Sequence, residues 1–167
     1  MLNIVKLGYD QKIVDKIYKY GADILGSSLF DKEREFIQHG DTTTYDHSLC
    51  VAYISLWLAS RSRHKVDMKS IARGALLHDY FLYDWHEKNE YHNLHGFTHA
   101  AMSLANAKRD FKLNKTEEEI IYCHMFPLNL TRVPLSREAR IVCVADKLCA
   151  GAETLCILHY NPMMVQA

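Results

Sequence analysis

The chain has 167 residues, with 20 basic and 20 acidic side chains that balance, which excludes a nucleic-acid binder working through a broad basic field. Composition does not change along the chain, so a single domain over 1–167 with one sizeable core is expected. No apolar run reaches membrane-spanning length, MLNIVKLGYDQKIVDK reads as an amphipathic opening and not a signal peptide, and five cysteines without CxxC fit free thiols in a reducing cytoplasm.

Three prolines and few glycines predict long uninterrupted helices, and no convincing alternating strand interrupts the helical periodicity. Residues 10–26 carry Ile13, Ile17, Tyr20 and Ile24 at spacings of three and four, with Gly26 as the closing residue. A short helix follows around Lys32 to Ile37, then HGDTTTYDHS as a polar loop. Thr43 or Thr44 is expected to cap a helix through LCVAYISLWLASR, apolar nearly all round and therefore central. Asp67 caps MKSIARGALLHD, and an aromatic, His-rich connection occupies 80–98. The next helix is expected over about 99–112, closed by KLN. Thr116 with Glu119 forms a capping box that opens EEEIIYCHM, which ends before Pro127. Ser136 caps the last long helix, REARIVCVADKLCAGAETL. The fold class is thus all-α, with about seven helices, and Cys50, Cys123, Cys143, Cys149 and Cys156 are read as small buried apolar side chains.

Polar side chains on faces that should be buried carry the chemistry. His47 lies in the first turn of the central helix, His78 and Asp79 end the next, and His99 opens the one after. His124 follows the apolar IIYC, and Asp146 is embedded in IVCVADKLCA. Taken singly, His124 answers a helix dipole, Asp146 pairs with Lys147 or Arg140, and an HD pair arises by chance among 10 histidines. Together, four imidazoles and two carboxylates at helix ends or on apolar faces make a nitrogen and oxygen metal site. A buried ionised carboxylate such as Asp146 needs a cation partner.

The order H…HD…H…H…D, carried by DHSLCVA, ALLHD, HGFTHAAMSLANA, IIYCHM and RIVCVADKL, resembles the HD-domain superfamily of metal-dependent phosphohydrolases over about 44–150. The resemblance implies that His47, His78, Asp79 and Asp146 hold one metal. Asp79 would bridge to a second, completed by His99 and His124. Six-ligand members include HD-GYP cyclic-dinucleotide phosphodiesterases and bacterial diadenosine tetraphosphate hydrolases. The third-slot histidine is either His95 or His99, with His99 preferred for its 25-residue interval to His124. His95 then becomes a catalytic or phosphate-contacting group. Two departures stand out: Leu82 replaces the lysine frequent four residues after the His of HD, and MFPLNL follows His124 instead of GYP. Cyclic-dinucleotide hydrolysis is therefore disfavoured.

The resemblance implies a phosphohydrolase acting on a phosphoester or phosphoanhydride of a small nucleotide, through a metal-activated hydroxide at a dinuclear site. Asp79 suits the bridge because its two oxygens can serve one ion each. Thiolate-free ligands rich in imidazole favour iron, with manganese, magnesium, cobalt or zinc as the other candidates. Lys147, Arg140 and Arg137 are candidate phosphate contacts, and Tyr83 and Trp85 are candidates to stack a base. The expected partner is a small phosphorylated molecule, with no membrane, a cytoplasmic setting and room for a homodimer. Alternatives on the same scaffold are a di-iron oxygenase and a ligand-sensing domain without catalysis.

Overall fold

The computed structural model describes residues 10–39, 41–83 and 95–155, with the side chains of residues 39 and 95–97 left aside. Helix α1 (Gln11–Tyr20) is capped by Asp10, whose carboxylate accepts from the Lys12 N–H at 3.0 Å. It buries Ile13, Val14 and Ile17 but does not continue to Gly26 as the periodicity suggests. The helix ends at Gly21, where a side chain would meet Leu76, and α2 (Ala22–Leu25) restarts beyond it. The single short helix expected over 32–37 is instead α3 (Ser28–Asp31) followed by a 3-10 turn, Lys32–Glu35. The polar loop contains a small antiparallel ribbon, β1 (Ile37–His39) against β2 (Thr42–Thr43).

Helix α4 (Thr44–Ser60) starts at Thr43, whose hydroxyl oxygen accepts from the Asp46 N–H at 3.1 Å. Leu49, Val51, Tyr53 and Leu56 are buried on successive faces of α4, so it is surrounded, as its apolar sequence requires. Helix α5 (Met68–Leu77) is capped by Asp67, which accepts from Lys69 and Ser70. Helix α6 (His95–Asp110) begins one turn earlier than expected. Helix α7 (Lys115–Cys123) has its capping box at Asn114 and Glu117, not at Thr116 and Glu119. Asn114 Oδ1 accepts from the Glu117 N–H at 2.9 Å, and Glu117 Oε2 accepts from the Asn114 N–H at 3.0 Å. Glu119 is used elsewhere: it accepts from the backbone N–H of Leu135 and Ser136, fixing the entry to α8 (Arg137–Thr154).

The described residues therefore form eight α-helices and one minimal two-stranded ribbon, an all-α fold. Helix α4 packs against α5 on one side and α8 on the other, α5 and α8 both meet α7, and α6 lies on α7. Two features set the α5–α7 spacing. A Cβ on Gly74 would come within 2.7 Å of Ile120, so only glycine allows this approach. Buried Arg73 donates from Nε to Glu117 at 3.0 Å and also reaches Asp23, tying α5 to α7 and α2. His78 and His124 each lie four residues, about one turn, beyond the contact between Gly74 and Ile120. The four described cysteines, Cys50, Cys123, Cys143 and Cys149, are buried free thiols, and Cys156 lies outside the described residues. No described helix is long and apolar enough to cross a membrane.

Candidate metal centre

Five helices converge on one buried point. His47 comes from the first turn of α4. The α5 ladder ends at Leu77, His78 occupies the cap in a helical conformation, and Asp79 follows in a turn. That turn is held from α6: Asn106 Nδ2 donates to the carbonyls of Tyr80 and Phe81 at 3.2 and 3.1 Å. The chain then turns sharply at Leu82, a bulky residue at φ 59. Such a conformation costs a side-chain-bearing residue free energy and favours glycine. His99 stands in the second turn of α6, not at its start, and His124 caps α7 just beyond Cys123. Asp146 lies midway along α8. All six side chains are buried.

The side chains form two groups, His47 with His78 and Asp146, and Asp79 with His99 and His124. Within each, the candidate ligand atoms lie within 4.8 Å of one another. Asp146 Oδ1 is 3.3 Å from His47 Nε2 and 3.7 Å from His78 Nε2. Asp79 joins the groups with different oxygens. Its Oδ2 is 3.4 Å from His78 Nε2 and 3.8 Å from His47 Nε2. Its Oδ1 is 3.3 Å from both His99 Nε2 and His124 Nε2.

The outer nitrogens fix how the rings present themselves. His78 Nδ1 and His124 Nδ1 donate to the carbonyls of Ala75 and Ile121 at 2.7 and 2.8 Å. A carbonyl only accepts, so Nδ1 carries a proton and each ring turns Nε2 inward, the atom a metal-ligating histidine offers. His47 Nδ1 meets Glu153 Oε2 at 2.7 Å. Buried His78 Nε2 and Asp79 Oδ1 complete no hydrogen bond among the described residues, the condition expected of atoms shaped for a cation. The six residues thus fit a pair of divalent ions.

Electrostatics point the same way. Burial disfavours the His47 imidazolium, yet Asp146 and Glu153 raise its pKa well above 6.5, so a proton stands where a cation is wanted. Burial also opposes ionisation of Asp79 and Asp146. Neighbouring histidines nevertheless hold both well below 3.8: His78, His124 and His99 act on Asp79, and His47 and His78 act on Asp146. Burial lowers His124 against the pull of Asp79.

The remaining sequence-derived candidates are placed unevenly. Lys147 donates to Asp146 Oδ2 at 3.0 Å and to the His124 carbonyl, so it reaches the centre although the helical spacing points it to another face. Arg140 is exposed on α8 and donates to the Pro134 carbonyl, away from the two groups. Tyr83 is half-buried; burial and the Asp79 charge push its pKa up to about 12. His95 opens α6, but its side chain is not among those described, and Trp85 lies outside the described residues. Sequence reasoning missed three buried polar residues here: Glu33, Gln38 and Glu153. Glu153 had a readable signal, since it follows Asp146 by seven residues on the same helical face and is an acid at a helix C-terminus.

A model of the HD domain matches residues 44–151, and the chain belongs to the HD-domain family. That family is one of metal-dependent hydrolases, chiefly phosphohydrolases. Comparisons with curated proteins and with solved structures gave no match.

Proposed function

We propose that this protein is a metal-dependent phosphohydrolase that cleaves a phosphoester or phosphoanhydride of a small nucleotide at a dinuclear centre. The observation that carries the reading is the division of Asp79, whose Oδ2 faces His47 and His78 while Oδ1 faces His99 and His124. His47, His78, Asp146 and Asp79 would hold one ion, and Asp79, His99 and His124 the other. Such a pair, when bound, supplies a water nucleophile at neutral pH and charge to neutralise phosphate oxygens. Ligands without thiolate accommodate iron, manganese, magnesium, cobalt or zinc, and their richness in imidazole favours iron first.

The chain's own groups orient and neutralise. Lys147 steadies Asp146 through Oδ2, leaving Oδ1 towards the imidazoles, and its half-exposed ammonium is available to a phosphate oxygen. Tyr83 keeps its phenolic proton throughout the neutral range and can donate it to a phosphate or leaving-group oxygen. His95, at the start of α6, is the further candidate for a phosphate contact.

Metal analysis of protein purified without chelators, followed by a nucleotide panel with Mn(II) and Fe(II), tests the proposal. Hydrolysis of a panel member to its nucleotide or nucleoside products, lost in Asp79→Ala, is the expected result. A mixed-valence iron pair that consumes oxygen without such hydrolysis would overturn it in favour of an oxygenase.

A further inference from the structure

The segment before the matched domain places two buried polar residues beside the metal groups that no ligand role accounts for. Glu33, on the 3-10 turn, is fully buried, and neither carboxylate oxygen completes a hydrogen bond among the described residues. Burial and the Asp79 charge raise the Glu33 pKa well above its ordinary value, against His47 and the neighbouring Ser48 hydroxyl, which completes no hydrogen bond either. Glu33 feels the charges of Asp79 and His47, yet belongs to neither candidate ligand group. No described Lys or Arg pairs with it. Gln38, on β1, is 6 % exposed and donates from Nε2 to Asp79 Oδ2 at 2.5 Å. The amide must point its nitrogen at a carboxylate, which leaves Oε1 turned away, and Oε1 has no partner. Both Glu33 oxygens and Gln38 Oε1 thus sit buried and unsatisfied, and leaving them so is costly.

We propose that Glu33 and Gln38 form an acceptor subsite, which takes a hydrogen-bond donor of the substrate, a sugar hydroxyl or an ammonium, beside the metal pair. Buried acceptors left short of donors select for donor-bearing ligands, because a ligand lacking the donor leaves the same atoms unpaired. Both residues precede residue 44, where the family match begins, so the subsite lies in the N-terminal segment. The inference rests on the phosphohydrolase reading, which brings a phosphorylated ligand to the metals.

The test uses uncleavable phosphonates in matched pairs, titrated calorimetrically into metal-loaded protein. One pair is a nucleoside phosphonate and its dideoxy counterpart; the other is aminopropylphosphonate and butylphosphonate. Wild type should prefer the donor-bearing member of at least one pair by about 10- to 100-fold. Glu33→Ala should erase that preference with metal content unchanged. Glu33→Gln keeps the shape and an acceptor but cannot ionise to meet a cationic donor. It should lose an ammonium preference fully and a hydroxyl preference only in part, and it serves if the alanine variant does not fold. Equal binding of both members by wild type, or a preference that survives in the variants, overturns the subsite alone. Loss of metal from Glu33→Gln makes Glu33 a ligand and also overturns it. If wild type binds none of the phosphonates, the phosphohydrolase reading falls and the subsite with it.

Discussion

His47 Nδ1 and Glu153 Oε2 lie 2.7 Å apart, joining the first turn of α4 to the last turn of α8 across 106 residues of chain. A carboxylate behind a metal-facing imidazole orients the ring and raises its basicity. Glu153→Gln should therefore leave the fold intact while weakening metal binding about 10- to 100-fold. Competition against a chromogenic chelator measures this, and unchanged affinity would remove Glu153 from the site.

Asp79 and His99 should behave differently when replaced. Asp79 presents an oxygen to each group, whereas His99 belongs to one. Asp79→Asn is expected to release both ions, and His99→Ala only the ion shared with His124. Elemental mass spectrometry on protein purified without chelators separates these outcomes. Full metal retention in Asp79→Asn would contradict the assignment.

Metal affinity should keep rising with pH above 6.5, by up to about tenfold per unit, until the raised pKa of His47 is passed. An ordinary imidazole would already have lost its proton there; His47 keeps one that the metal must displace. Stability of the metal-free protein should run the opposite way. The contribution of protonated His47 is complete below 6.5 and is lost as pH rises through its raised value. Asp79 and Asp146 contribute stability above 3.8, lost only as pH falls through their depressed values. Glu33 is raised by burial and by Asp79, so the cost of ionising it also grows with pH. Melting temperature of metal-free protein should fall as pH rises above 6.5 through the raised value of His47. A flat profile would show that His47 carries no such proton.

Gly74→Ala should destabilise by about 1–3 kcal/mol, because the new methyl meets Ile120 across a helix contact that has no slack. For a chain of this length that is a drop of roughly 2–10 °C in melting temperature. The same substitution should weaken metal binding, since it pushes apart the helix ends that carry His78 and His124. Calorimetric melting with and without added Mn(II) reads both effects.

Much of the fold was legible in the sequence because it was local. Asp67, Thr43 and Ser136 cap the helices their positions suggest, and α4 is buried as its apolar run demands. Where two residues offered the same local chemistry, packing decided between them. Asn114 and Glu117 close the α7 box, while Glu119 is drawn away to the N–H groups ahead of α8. The space at Gly21 is filled by Leu76, 55 residues later, and no window around Gly21 contains it. The six candidate ligands were visible because polar groups on apolar faces are conspicuous. Glu33 and Gln38 were not, since they sit in a short polar segment where such residues ordinarily face water.

The crowding of buried acids around one point has a cellular consequence. Glu33, Asp79, Asp146 and Glu153 are all buried, so cations bound among them would add support that the empty fold lacks. A ligand that binds only the folded chain stabilises it by about 2.7 kcal/mol at a hundredfold excess over its dissociation constant. The lifetime of this protein in a cell should therefore follow the supply of its metal, with starved molecules cleared by proteolysis before their lost activity is felt.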